Sequence, residues 1–166
     1  MVLLVGGLGS WLALRGRSGP GPAPKAEPRP APEFALKDYE RREVKLSDFR
    51  GKVVLVNSWA AWCPFCKEEL KDFAAVQEEF GGRIAIIAVD RGEPLEIAKR
   101  YSDDLGVSGN LVFLLDPDDS FYKSIGGFSM PETIFVDEDG FIRFHKRGPM
   151  SREEIRRRIE DLLGGS

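Results

Sequence analysis

Cysteine and histidine are scarce in this chain of 166 residues, which carries two cysteines, Cys63 and Cys66, and one histidine, His145. A structural zinc site normally takes four nitrogen or sulfur ligands, so this set does not supply one, and no metal ion or cofactor is expected. We predict that His145 is a surface residue on a late strand. The sequence also lacks a basic patch with interleaved aromatic residues, which argues against a nucleic-acid partner.

A long apolar run is missing as well. The stretch from Val2 to Leu14 is uncharged and largely apolar, but a helix of that length spans about 20 Å, short of the ~30 Å hydrocarbon core. We interpret residues 1–19 as an export signal or a signal anchor, and the alternative is a disordered apolar tail. This segment contains no cysteine that would carry a lipid.

The next segment, residues 20–32, holds six prolines and no large apolar residue, which predicts an extended, semi-rigid spacer. From residue 33 to residue 166 the chain reads as one domain, in which apolar β runs alternate with helical patterns. The order predicts an α/β fold with a mixed sheet. Predicted strands are 53–56, 84–89, 111–115, 133–136 and 141–144; predicted helices are 64–80, 93–105, 120–125 and one capped by Ser151 and Glu154.

Both cysteines fall in one motif, Trp62-Cys63-Pro64-Phe65-Cys66, at the predicted start of a helix. Two thiols at this spacing can close a small disulfide ring and open it again. An inert local disulfide is disfavoured, because so short a loop removes little entropy from the unfolded chain. The motif therefore predicts a dithiol/disulfide exchange site.

Placement along the helix suggests a role for three side chains. Cys63 stands at the helix start, where unpaired N–H groups favour a thiolate, so we predict that it is the exposed, attacking sulfur. Cys66, one turn deeper, would resolve the mixed disulfide. Glu69 is the one acid within the apolar arc of this helix, and a desolvated carboxyl there would have a raised pKa suited to proton transfer. The alternative places Glu69 at the helix edge, reaching solvent.

Two separated stretches carry a resemblance to a known family: residues 46–70, LSDFRGKVVLVNSWAAWCPFCKEEL, and residues 126–140, GGFSMPETIFVDEDG. They resemble the TlpA/ResA/DsbE-type thioredoxin-like proteins, and the Pro-Glu-Thr at 131–133 is closest to the DsbE branch. The resemblance covers about residues 30–164. It implies a thioredoxin-like fold with an N-terminal β-hairpin and a central βα insertion at about 93–125.

The resemblance further implies a membrane-tethered, extracytoplasmic thiol-disulfide oxidoreductase. Its partners would be protein thiols and disulfides, often the haem-site cysteines of apocytochrome c, and an upstream membrane electron donor. Glu69 matches the family's active-site glutamate. Met130 and Pro131 match the cis-proline loop that faces the disulfide. Substrate contact is implied for Trp62, Pro64, Phe65, Met130 and Pro131.

Three positions near this site call for separate comment. Ser58 stands where the family usually has Phe, and Met130 is larger than the usual residue before the proline. Asn57 occupies the place of the buried acid of classical thioredoxins. It is interpreted either as a catalytic part or as a hydrogen-bonding residue at a strand end.

Other functions fit the motif less well. A peroxiredoxin-type peroxidase wants Pro-x-x-x-Thr-x-x-Cys, but Val56 and Ala60 stand where Pro and Thr should be. Copper delivery in a thioredoxin fold usually takes Cys-x-x-x-Cys plus His, and the spacing here is one residue short. The favoured direction is reduction, because Phe65 supplies no positive charge between the cysteines, and the alternative is an exported disulfide donor.

Overall fold

The computed structural model describes residues 29–164, which form one mixed sheet with helices on both faces. Strands are β1 (Arg29–Pro30), β2 (Ala35–Asp38), β3 (Glu43–Lys45), β4 (Val53–Trp59), β5 (Ile84–Arg91), β6 (Val112–Asp116), β7 (Glu132–Val136) and β8 (Phe141–Arg147). Helices are α1 (Cys66–Phe80), α2 (Leu95–Asp104), α3 (Ser120–Ser124) and α4 (Arg152–Gly164). Short 3₁₀ turns occupy Leu46–Phe49 and Gly81–Arg83.

The strands lie in the order β1-β8-β7-β4-β5-β6-β2-β3. The central strands β4, β5 and β6 are parallel, and the remaining pairs are antiparallel. Every residue of β4 is buried, which explains its nearly continuous apolar sequence, because both faces of this strand are covered. The α/β class with a mixed sheet and an N-terminal hairpin, β2–β3, is confirmed.

Successive side chains of β4 point to opposite faces of the sheet, where they join two separate apolar clusters. Val53 and Leu55 face the cluster that packs α1, α2 and α4 against the sheet. Val54 and Val56 face the second cluster, which includes Phe121 of α3. Both cysteines belong to the first cluster, so the site is built on the more extensive of the two cores.

Several local features differ from the sequence-based expectations. Helix α1 begins at Cys66, two residues later than expected. Arg29–Pro30, expected as part of the spacer, pairs with β8, and the Ala31 N–H donates to the Gly140 carbonyl at 2.9 Å. The structured domain therefore starts before residue 33. The expected insertion comprises α2, β6 and α3.

Only one of the two hydrogen bonds of the expected capping box at α4 is formed. The Glu154 N–H donates to Ser151 Oγ at 3.2 Å, but the Glu154 carboxylate lies 3.3 Å from Lys146 Nζ on β8 instead of reaching back. An ion pair with the neighbouring strand has replaced the reciprocal bond.

The apolar segment 1–19 and the spacer up to residue 28 lie outside the described residues. Within residues 29–164, none of the helices combines the length and the apolar character that crossing a bilayer requires.

Phe73 provides a test of the first core cluster, since it is fully buried on the inner face of α1. We expect Phe73→Ala to lower the free energy of unfolding by about 3–5 kcal/mol, because it removes apolar contacts and leaves a cavity. Phe128→Ala is the matched control, because that ring is 84% exposed. Chemical denaturation measures both, and equal losses in the two variants would contradict this packing.

Candidate functional site

The turn between β4 and α1 carries the two cysteines. The Cys63 N–H donates to the Ala60 carbonyl at 3.1 Å, and the Cys66 N–H donates to the Cys63 carbonyl at 3.3 Å. These bonds wind the chain into a tight turn that leads directly into α1. Cys63 and Cys66 are joined in a disulfide with their Cα atoms 5.4 Å apart.

The expectation that Cys63 is exposed is wrong for this disulfide form. Cys63 is 1% exposed and Cys66 is fully buried, and both belong to the first apolar cluster. The exposed parts of the motif are the flanking aromatic rings, since Trp62 and Phe65 are each 61% exposed. Because α1 begins at Cys66, Cys63 lies in the preceding turn, three residues before the helix.

A cis-proline loop lies beside this turn. The Met130–Pro131 peptide is cis, as expected, and it directly precedes β7. Pairing of Ser58 with Glu132 places the loop next to the end of β4, from which the cysteine turn departs. Pro131 is buried and Met130 is half-buried against the cysteine cluster.

Glu69 is inside the core, so the alternative of a solvent-reaching helix-edge residue is wrong. The residue is 2% exposed, one turn beyond Cys66 on α1. Its Oε1 accepts the Met150 N–H at 2.9 Å, and its Oε2 accepts Asn57 Nδ2–H at 3.1 Å. Burial raises the pKa of Glu69 from an ordinary 4.5 to about 8, although both N–H donors favour the ionised form.

Asn57 links Glu69 to the strand that follows the proline loop. Its two amide hydrogens are taken by Glu69 Oε2 and by Thr133 Oγ1, the latter at 2.9 Å. Its Oδ1 is buried without a hydrogen-bond partner. Asn57 is therefore a hydrogen-bonding residue of the strand, and it orients Glu69.

A second buried acid, Glu132, was not predicted from the sequence. It is fully buried at the start of β7, and its Oε2 accepts the N–H groups of Phe128 and Ser129 at 2.8 and 2.9 Å. Its Oε1 lies 2.6 Å from His145 Nε2. Burial raises the pKa of Glu132, but these N–H donors and the His145 ring outweigh burial and hold it below its ordinary value.

The prediction of a surface position for His145 is wrong, because its side chain is 20% exposed and contacts this buried acid. Glu132 thus fastens the proline loop to β7 and β8. The sequence signal was an acid directly after Pro131 that begins an otherwise apolar strand.

A third buried acid, Asp90, also escaped the sequence reasoning. It is fully buried at the end of β5, beside Trp59 in the register of the sheet. The signal was its place after a buried parallel strand, because the carboxyl ends of such strands are where functional groups gather. Within residues 29–164, no three His, Cys, Asp or Glu side chains are grouped so that they could hold a metal ion.

A cysteine-pair disulfide beside a cis-proline, on a mixed sheet covered by helices, defines a thioredoxin-like thiol-disulfide oxidoreductase. The AhpC/TSA family matches residues 28–145. The chain belongs to this family, among the thiol-disulfide oxidoreductases of the ResA and DsbE type.

Relatives and a solved structure agree with that placement. The chain is 34% identical to the thiol:disulfide interchange protein DsbE of Allochromatium vinosum over 146 residues, covering 86% of this chain and 77% of that protein. It is 30% identical to the thiol-disulfide oxidoreductase ResA of Geobacillus thermodenitrificans over 135 residues, covering 80% and 75%. The crystal structure of the exposed lipoprotein thioredoxin of Streptococcus pneumoniae matches with a TM-score of 0.70 at 28% identity, covering 79% and 100%.

Glu69→Gln tests the buried acid. We expect it to slow disulfide exchange about 100-fold at pH 8, because the amide cannot take up a proton, and to remove the rise in rate that ionisation near pH 8 would give the native protein. Exchange rates from pH 6 to pH 9 measure both effects. Glu68→Gln is the control, since Glu68 is the exposed neighbour on the same helix. Superimposable pH profiles of Glu69→Gln and the native protein would contradict the expectation.

The same variant has a signature in stability. The folded pKa of Glu69 lies above the ordinary value, so the folded protein keeps a proton that the unfolded chain releases. The contribution of Glu69 to the free energy of unfolding therefore falls as pH rises from 4.5 to about 8, and we expect Glu69→Gln to remove that contribution, which chemical denaturation across this pH range measures.

Proposed function

We propose that this protein is an exported or membrane-anchored reductant of disulfides in extracytoplasmic proteins, including the haem-site cysteines of apocytochrome c. The observation that carries the proposal is the Cys63–Cys66 disulfide lying between a cis-Pro131 loop and the buried Glu69. Relatives named DsbE and ResA support the exchange chemistry. The DsbE-like Pro131-Glu132-Thr133 supports the cytochrome branch.

The proposed reaction has two thiol-exchange steps. In the reduced protein the Cys63 thiolate attacks one sulfur of the substrate disulfide, and the other substrate sulfur leaves as a thiolate. The Cys66 thiol then loses its proton and attacks the Cys63 sulfur, which releases the second substrate thiolate and forms the Cys63–Cys66 disulfide. The substrate gains two electrons, and the protein loses two.

Glu69 is the proposed acceptor of the Cys66 proton. It lies one turn beyond Cys66 on the same helix, and its pKa of about 8 leaves both protonation states populated near neutral pH. During re-reduction by the electron donor, the protonated carboxyl returns the proton to the departing Cys66 thiolate.

The proposed substrate-binding surface surrounds the buried disulfide. Pro64 and the two rings of Trp62 and Phe65 are exposed, and Met130 is half-buried against the cluster that contains the cysteines. Exposed aromatic side chains of this kind suit contact with a polypeptide, because they offer large apolar area at low entropic cost. Pro131 would order the extended substrate chain next to Cys63.

The name of the similar Streptococcus pneumoniae protein, an exposed lipoprotein, supports an extracytoplasmic location. We propose that residues 1–19 direct export or anchor the chain, and that residues 20–28 separate the domain from the membrane. A membrane electron donor would keep the cysteine pair reduced.

The two thiols should differ in reactivity. In Cys66→Ser, we expect Cys63 to be alkylated with a pH midpoint near or below ~7, because Cys63 lies in the turn that leads into the unpaired N–H groups at the start of α1. In Cys63→Ser, the Cys66 thiol should stay at or above the ordinary value of ~8.5, because it is buried. Alkylation rate against pH measures both midpoints. A midpoint of Cys66→Ser at or above ~8.5 would refute this assignment.

The direction of exchange is tested by the reduction potential. We expect a value nearer the ~−270 mV of thioredoxin than the ~−120 mV of DsbA, because Phe65 supplies no positive charge and the acids nearby oppose a stable thiolate. Equilibration against a dithiothreitol or glutathione series measures it. A potential above about −160 mV would make the protein a disulfide donor instead of a reductant.

A further inference from the structure

Two acids beside the cysteine turn have no part in the reaction above. Asp90 ends β5 opposite Trp59, the last residue of β4, and Glu93 follows three residues later. Both therefore lie where the chain leaves β4 for the cysteines. The contacts of this pair reach the turn itself.

Glu93 holds the turn through the backbone. Its Oε2 accepts the Ala61 N–H at 2.6 Å across 32 residues of sequence. Ala61 lies two residues before Cys63, within the loop that the Ala60 carbonyl closes onto the Cys63 N–H. At 2.6 Å this hydrogen bond is shorter than most N–H···O bonds, so Glu93 holds this loop closely.

Asp90 holds the backbone of Glu93 in place. Asp90 is fully buried, and its Oδ1 accepts the Glu93 N–H at 3.2 Å. No N–H group donates to its buried Oδ2, and the side chain that it faces is the Glu93 carboxyl group, to which a protonated Asp90 would donate its O–H. Burial and the neighbouring Glu93 carboxylate raise the pKa of Asp90, because two adjacent carboxyl groups in a poorly solvated place resist double ionisation.

The groups that face the pair do not neutralise it. Tyr39 of the β2–β3 turn and Tyr101 and Asp103 of α2 are acids or phenols that share its field. Asp119 adds a further carboxylate. Arg91, the nearest cation in sequence, donates to that carboxylate through Nε at 2.8 Å and Nη2 at 2.6 Å. The cations on this side are Lys71, which pairs with Glu68, and Arg100, which lines the same cavity as Ala61. Neither forms an ion pair with Glu93 in the part of the chain that the structure describes.

We propose that Glu93, supported by Asp90, is a positioning residue of the exchange reaction: its carboxylate fixes the loop that presents Cys63, and its charge opposes the Cys63 thiolate. The inference rests on the proposed exchange function and adds a second control on the attacking sulfur. Geometry and charge are separable here, because Gln keeps an oxygen acceptor for the Ala61 N–H and loses the charge, whereas Ala loses both.

The test compares Glu93→Gln and Glu93→Ala in the full chain, with Glu96→Ala as the control, an exposed acid on the α2 helix that follows Glu93. Two quantities are measured: the rate at which the reduced protein reduces insulin disulfides, and the pH midpoint of Cys63 alkylation. We expect Glu93→Ala to slow exchange about tenfold through loss of the loop contact. Glu93→Gln should restore most of that rate and lower the Cys63 midpoint by about half a pH unit through loss of one nearby charge.

Two results would overturn the inference. One is an exchange rate of Glu93→Ala within twofold of Glu96→Ala, and the other is an unchanged Cys63 midpoint in Glu93→Gln. If Glu93→Ala does not fold, the midpoint of Glu93→Gln decides alone. Failure here is distinct from failure of the proposed function: a native protein that exchanges normally while the variants match it refutes only the role of Glu93, whereas a native protein that reduces no disulfide refutes the function.

Discussion

Burial of carboxyl groups is the constraint on which the arrangement around the disulfide depends. Glu69, Asp90 and Glu132 are each at most 2% exposed, and a buried carboxyl is costly unless its oxygens receive hydrogen bonds. Each acid meets that need by drawing in a different segment. Glu69 takes the Met150 N–H before α4, Glu132 takes two N–H groups of the proline loop, and Asp90 takes the N–H of Glu93 before α2. The polar bonds thus assemble the site, while the apolar clusters supply the free energy that offsets their burial.

Their surroundings give these buried acids unequal acidity. Glu132 receives two backbone N–H groups and the His145 ring, and its pKa lies below the ordinary value. Glu69 receives one backbone and one amide N–H, which do not outweigh burial, and its pKa lies at about 8. The additional donors at Glu132, together with the deeper desolvation of Glu69, therefore separate an acid with a lowered pKa from one that can exchange a proton near neutral pH.

The sequence predicts those parts of the fold and the site that depend on residues close together in the chain. The β4 run, the α1 pattern and the inward position of Glu69 come from local periodicity, and they are confirmed. The proline loop was predicted through family resemblance. By contrast, the bond from Glu93 to Ala61 and that from Met150 to Glu69 join residues 32 and 81 positions apart, and no local pattern encodes such pairs. Exposure of Cys63 was mispredicted for the same reason, because tertiary packing decides it.

The raised pKa of Glu69 also bears on how one residue would serve both halves of the proposed catalytic cycle. When the protein reduces a substrate, Cys66 must give up a proton, which requires an ionised carboxylate. When the donor reduces the protein, Cys66 leaves as a thiolate and requires a proton. A carboxyl at its ordinary 4.5 would be ionised throughout at neutral pH and could serve only the first half, whereas one at about 8 retains its proton for the second and still loses it in a useful fraction of molecules. The desolvation that makes Glu69 costly to bury is therefore the property that would let it act in both directions of the proposed cycle.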